Sequence, residues 1–131
     1  MEIKEVYVSY DVAKLLYERG FYEPCDMYYK MSCKSDEPEE VLWEELNYGQ
    51  ERYIKAPTHQ MATDWLRVRH GIFICITYEP EPGDKFEWHA LIRKDGKTIK
   101  FTDGIRISDY HRLLDHAIRD VVEGCIAVNI E

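Results

Sequence analysis

From Pro57 onward, the apolar positions follow a helical period, then a strand period, then a helical period again. Thr58 stands as an N-cap ahead of Met61, Ala62, Trp65 and Leu66, which share one helix face. Gly71 is a stop signal. Ile72-Phe-Ile-Cys-Ile-Thr-Tyr78 is β-branched and aromatic, and its unbroken apolar run predicts a strand buried on both faces. The two prolines and the glycine of Glu79-Pro-Glu-Pro-Gly-Asp84 cannot continue a ladder, so a turn follows. Phe86, Trp88, Ala90 and Ile92 then alternate with their neighbours, the mark of a half-buried strand. Asp95-Gly96 predicts a type I′ hairpin turn, which needs positive φ at both central residues. Ile99 and Phe101 mark a third strand. Ser108 is placed to cap a last helix whose Leu113, Leu114, Ala117, Ile118, Val121 and Val122 form a broad apolar stripe, with Gly124 closing it. The pattern predicts an α+β fold: a three-stranded antiparallel meander with helices packed on one face, an α-β-β-β-α core over residues 57–125.

The preceding segment is organised differently. Val6 and Val8 open in extended form, and Ser9 caps a helix over residues 10–19 with Asp11 in its first turn. Val12, Leu15 and Leu16 form its apolar face, and Gly20 followed by Phe21 predicts its end. Cys25–Met31 is rich in β-formers and predicts one strand. Residues 36–56 are acidic, with Val41, Leu42, Trp43 and Leu46 suggesting a short amphipathic turn. These parts predict an elaboration, residues 1–56, packed on the core. At 131 residues, with no linker, repeat or low-complexity tract, the expectation is one domain over residues 1–131.

Charge sharpens this division. Residues 1–56 carry 7 basic against 13 acidic residues, while 57–125 carry 10 against 11. Asp36, Glu37, Glu39, Glu40, Glu44, Glu45 and Glu51 form a stretch with no Lys or Arg inside it. Such a segment repels nucleic acid and favours solubility or a basic partner. Tyr28, Tyr29, Tyr48 and Tyr53, with Trp43, flank it, and such aromatics either pack a core or make a contact surface. No apolar run approaches the length of a membrane span, and the first residues show no secretory pattern. A cytoplasmic protein is expected. Its four cysteines would then be reduced, with Cys75 and Cys125 buried as small hydrophobes.

Known chemical signatures are missing. His111 and His116 lie five apart on a helix, about 140° from each other, and Cys25 and Cys33 lack a zinc-knuckle spacing. Neither a nucleophile elbow nor a phosphate-cradling loop occurs. No catalytic, cofactor or metal residue is assigned on this basis.

The order helix, three strands, helix is similar to that of double-stranded-RNA-binding domains. That family reads RNA through its first helix, the loop between its first two strands and a basic start to its last helix. Here the loop is Glu79-Pro-Glu-Pro-Gly-Asp84 and the last helix opens at Ser108-Asp109, which argues against RNA. Arg93, Lys94, Lys97 and Lys100 around the hairpin form a small basic set that could meet an anion or simply protect a strand edge. Separately, Val8-Ser-Tyr-Asp-Val-Ala-Lys-Leu-Leu-Tyr-Glu-Arg-Gly-Phe21 and Ala56-Pro-Thr-His-Gln-Met-Ala-Thr-Asp-Trp-Leu-Arg67 resemble short proteins of phages and mobile elements of gut bacteria. That resemblance implies an accessory protein of mobile-element origin and no catalytic residues. The leading expectation is a non-enzymatic protein that binds a protein partner, with Glu39, Glu40, Trp43, Glu44, Glu45 and Tyr48 as contact residues. The alternatives are a nucleic-acid-binding module using the basic hairpin, and a small-molecule enzyme built around His89 and Trp88.

Overall fold

The computed structural model describes residues 6–31, 37–41, 52–78, 88–102 and 110–126. They form an α+β fold in the order α1 (Tyr10–Glu18), β1 (Met27–Lys30), β2 (Glu39–Glu40), β3 (Tyr53–Lys55), α2 (His59–His70), β4 (Ile72–Tyr78), β5 (Trp88–Lys94), β6 (Lys97–Thr102) and α3 (Tyr110–Cys125). The strands make two antiparallel sheets, β2-β1-β3 and β4-β5-β6.

Local signals set the helix ends. Ser9 Oγ accepts the Val12 N–H at the start of α1, and Thr58 Oγ1 accepts the Met61 N–H at the start of α2. Helix α1 ends in a Schellman turn. Gly20 takes φ of 99°, its N–H donates to the Tyr17 carbonyl, and the Phe21 N–H donates to that of Leu16. Gly71 ends α2 at φ 65°. At the hairpin, Asp95 and Gly96 have φ of 54° and 77°, as a type I′ turn requires.

The core forms where the predicted stripes meet. Leu113, Leu114, Ala117, Ile118, Val121 and Val122 of α3 are all buried. They pack with Ala90 and Ile92 of β5, Ile72 of β4 and Leu66 of α2. Each leucine, isoleucine or valine among them stabilises the fold by roughly 1.5–3 kcal/mol. Val8, Val12, Leu16, Phe21, Tyr29 and Ile54 belong to the same main cluster, so the N-terminal elaboration shares the core of the α-β-β-β-α unit.

Four expectations are corrected. The segment before α2 holds a second three-stranded sheet, not one strand, because two glutamates in β2 pair with Met27 and Tyr28 of β1. Strand β4 is buried on one face only. Ile72 lies in the core while Phe73 is 48% exposed, because α2 and α3 both pack against the sheet and nothing described covers its other side. Cys75 shares that open face and Cys125 ends α3, and both are exposed. Gly124 does not terminate α3: the helix continues to Cys125, and Ile126 is then buried with its carbonyl accepting from Arg19 Nη1 at 3.1 Å. The Ser108 cap, the Glu79–Asp84 turn and the amphipathic turn near Leu42 lie outside the described residues.

Candidate functional site

Three segments far apart in the chain meet at the head of α3. The Ser9 N–H, at the entry to α1, donates to Asp115 Oδ1 at 2.8 Å. His59, the first residue of α2, places ring Nε2 3.1 Å from the same oxygen. Its own backbone N–H donates to the Val6 carbonyl, which anchors the start of α2 beside the entry to α1. Burial alone would raise the Asp115 pKa. The hydrogen bonds from His59 and Ser9 outweigh it and hold the carboxyl below its ordinary range. Asp115 is therefore ionised at neutral pH. An ionised carboxylate can only accept, so His59 Nε2 carries the proton between them.

His59 is only 5% exposed, and its Nδ1 is buried without a hydrogen-bond partner. Its ring stacks on His111 at 5.7 Å, Tyr110 meets His111 edge-on at 5.3 Å, and Trp88 meets Tyr110 at 5.3 Å. A file of rings thus runs from the polar cluster to the inner face of the sheet. Tyr29 adds a further tie, its hydroxyl donating to the Val8 carbonyl.

Around this cluster lies a cleft of about 560 Å³. Its floor is His59, Asp115 and Tyr29, one wall is the start of α1 with Asp11, and the other is the Arg112, His116 and Arg119 side of α3. A smaller cleft of about 260 Å³ lies beyond His59, between Thr63, Ile74, Ile76 and Leu114. The His59–Asp115 pair resembles half of a nucleophile-activating relay, but the second ring nitrogen is sealed and meets no hydroxyl or thiol. The pair as it stands ties the fold and shapes the cleft. Among the described residues no group of three or more His, Cys, Asp or Glu side chains is placed to hold a metal ion.

A second feature is the open side of β4-β5-β6. Pairing sets Phe73 opposite Arg93, Cys75 opposite Leu91, and Thr77 opposite His89 on this side. A bulge between Ile92 and Arg93 makes Ile99 the extra residue of β6, and it is 44% exposed. Arg93 and Lys97 are exposed and Lys94 half-buried beside the hairpin, and Lys100 pairs with Ile92. The sheet and its hairpin turn thus carry four cations against Asp95, within a chain of net charge −8.

The other sequence-based candidates are distributed as follows. Glu39 and Glu40 are exposed on edge strand β2, with Glu39 Oε1 3.8 Å from Lys30 Nζ. Trp43, Glu44, Glu45 and Tyr48 lie outside the described residues. His89 and Trp88 point to opposite faces of β5, as adjacent strand residues must, so they cannot line one site. His111 and His116, set far apart by helix geometry, both border the larger cleft. Sequence reasoning missed Asp115 and Arg119. The spacing of Arg112, His116 and Arg119 on the polar side of α3 was the available signal. Burial raises the Cys25 thiol pKa to about 11, which leaves it unreactive.

Comparison with protein-family models, with curated proteins and with solved structures returned no match to this chain. Among the described residues no helix is long and apolar enough to cross a membrane.

Proposed function

We propose that this chain is a small accessory protein of phage or mobile-element origin, acting in the cytoplasm by binding another protein. The observation that carries the reading is the open side of β4-β5-β6. Phe73, Leu91 and Ile99 supply apolar area there, Arg93 adds positive charge on the same side opposite Phe73, and Lys97 stands exposed beside the hairpin, while Lys94 pairs with Ile72 on the covered face. An uncovered apolar patch with a polar rim is the ordinary form of a protein contact. The occupant that complements it is a partner segment that is both acidic and apolar. Nucleic acid is disfavoured because four cations are set in a chain of net charge −8, and phosphate contacts dominate such binding.

The acidic segment supports a second reading, since Glu39 and Glu40 stand exposed on a two-residue edge strand that could face a basic partner.

Peptide-display selection on the immobilised full chain separates the two. Enrichment of acidic, apolar peptides, lost on Phe73→Ser with Arg93→Glu, supports the sheet. Enrichment of basic peptides, lost when Glu39, Glu40, Glu44 and Glu45 are changed to Lys, moves the function to the acidic segment and overturns the sheet reading. Selection indifferent to both sets overturns both. A salt-sensitive gel shift would assign the sheet to nucleic acid, and a dimer in sedimentation abolished by Phe73→Ser would assign it to a second copy.

A further inference from the structure

We propose that the cleft at the head of α3 binds a small anionic molecule through a phosphate or carboxylate group. The residues that carry it are separate from those of the protein-binding surface. At about 560 Å³ the cleft is well beyond the size of a trapped water and within the range of small-molecule sites.

Its polar wall suits an anion. Arg112, His116 and Arg119 follow each other at four- and three-residue spacing, so all three lie on one side of α3. Two guanidiniums on one wall can each grip a planar carboxylate or a phosphate with paired N–H donors. The facing wall is the N-terminal end of α1, the positive end of a nine-residue helix.

Two acids border the same space and oppose an anion. Asp115 is committed inward, its Oδ1 shared by the Ser9 N–H and His59 Nε2. Asp11 is exposed at the rim, where solvent screens it. The basic side chains are not free of other partners: Arg112 has one of its own, and the other two have acidic neighbours outside the cleft. Arg119 Nε lies 3.7 Å from Glu123, and His116 Nε2 lies 3.3 Å from Asp120. Both are same-helix pairs at the surface, a weak kind of interaction that an incoming anion can replace.

The test is a titration of the ¹⁵N-labelled full chain, followed by amide shifts at low ionic strength, with inorganic pyrophosphate, citrate and acetate in separate arms. Saturable shifts confined to Ser9–Asp11 and residues 111–119 are expected. Stronger binding of pyrophosphate than of citrate marks a phosphate ligand, and the reverse order marks a carboxylate. Arg112→Gln and Arg119→Gln, both at exposed positions, should each weaken binding roughly tenfold, with partial rescue by Lys. Three results overturn the proposal: no shifts at millimolar ligand, shifts equally strong around Arg93 and Lys97, or affinity unchanged in both Gln variants.

Discussion

Replacing Asp115 by Ala should be among the most damaging polar substitutions in the chain. Its carboxylate accepts from the Ser9 N–H at 2.8 Å and from His59 Nε2 at 3.1 Å. Hydrogen bonds to a charged group are worth roughly 1.5–3 kcal/mol each. Removing the carboxylate also leaves a buried imidazole with neither ring nitrogen partnered. Losing one partner of a buried pair costs about 3–5 kcal/mol. Asp115 is half-buried and keeps some contact with water, so about 3 kcal/mol is expected. That is a large share of a typical stability of roughly 5–15 kcal/mol. Asp115→Asn keeps an acceptor oxygen and should cost about 1 kcal/mol. Equilibrium unfolding in urea at pH 7 reads the difference, with the midpoint of the Ala variant lowered by about 1–2 M at unchanged slope. The pH dependence provides a second check. A folded-state pKa held below its unfolded value gives stability that is complete above the unfolded value of about 3.9 and is lost as pH falls through the folded one. The gap between wild type and Asp115→Asn should therefore close in acid below about pH 4. An Ala variant within about 1 kcal/mol of wild type, or a gap that persists at pH 2, would refute the stabilising role of the Ser9–Asp115–His59 cluster.

Other outcomes follow from single positions. Gly71→Ala should destabilise by about 1–2 kcal/mol in thermal or urea unfolding, because a Cβ at φ 65° is strained even though nothing lies within 4 Å of it. Gly124→Ala should stabilise by about 0.5–1 kcal/mol in the same assay, since Gly124 lies within α3 and its Cβ would meet nothing within 4 Å. Phe73→Ser should change stability by no more than about 0.5 kcal/mol, while Ile118→Ala should cost about 2–5 kcal/mol. Thiol labelling of the native protein at pH 8 should modify Cys75 and Cys125 well before Cys25, whose pKa is about 11; early labelling of Cys25 would contradict its burial.

The parts of this fold that could be read from the chain are those decided within a few residues. Thr58 and Gly71 bound α2, Ser9 and Gly20 bound α1, and Asp95-Gly96 turns β5 into β6. Each acts through its own backbone conformation or a hydrogen bond three residues away. The apolar stripe of α3 was equally plain, because helical spacing alone puts its members on one face. The missing information was non-local. Whether Phe73 is covered depends on which side of the sheet α2 and α3 choose, and an unbroken apolar run in β4 cannot say. Strand β2 is two glutamates, a composition that favours no strand, held there by pairing with β1. The candidate cleft was the least legible part. His59 and Asp115 are 56 positions apart and acquire meaning only when α2 meets α3.

The hydrogen bond from Ser9 to Asp115 spans 106 positions of sequence. During synthesis, the entry to α1 leaves the ribosome long before the carboxylate that will secure it. Helix α1 can form its own turns early, since Ser9 and Gly20 act locally, but an isolated nine-residue helix is marginal in water. The ties of its entry segment to Tyr29, Pro57 and His59 can form earlier, but the hydrogen bond to Asp115 must wait until α3 has emerged and docked, with the loop-closure cost of a long chain already met. Among the described helices, the earliest in the chain is therefore fully secured only when the latest has docked. In that interval Val12 and Leu16, buried in the finished protein, are open to chaperones or to a neighbouring chain.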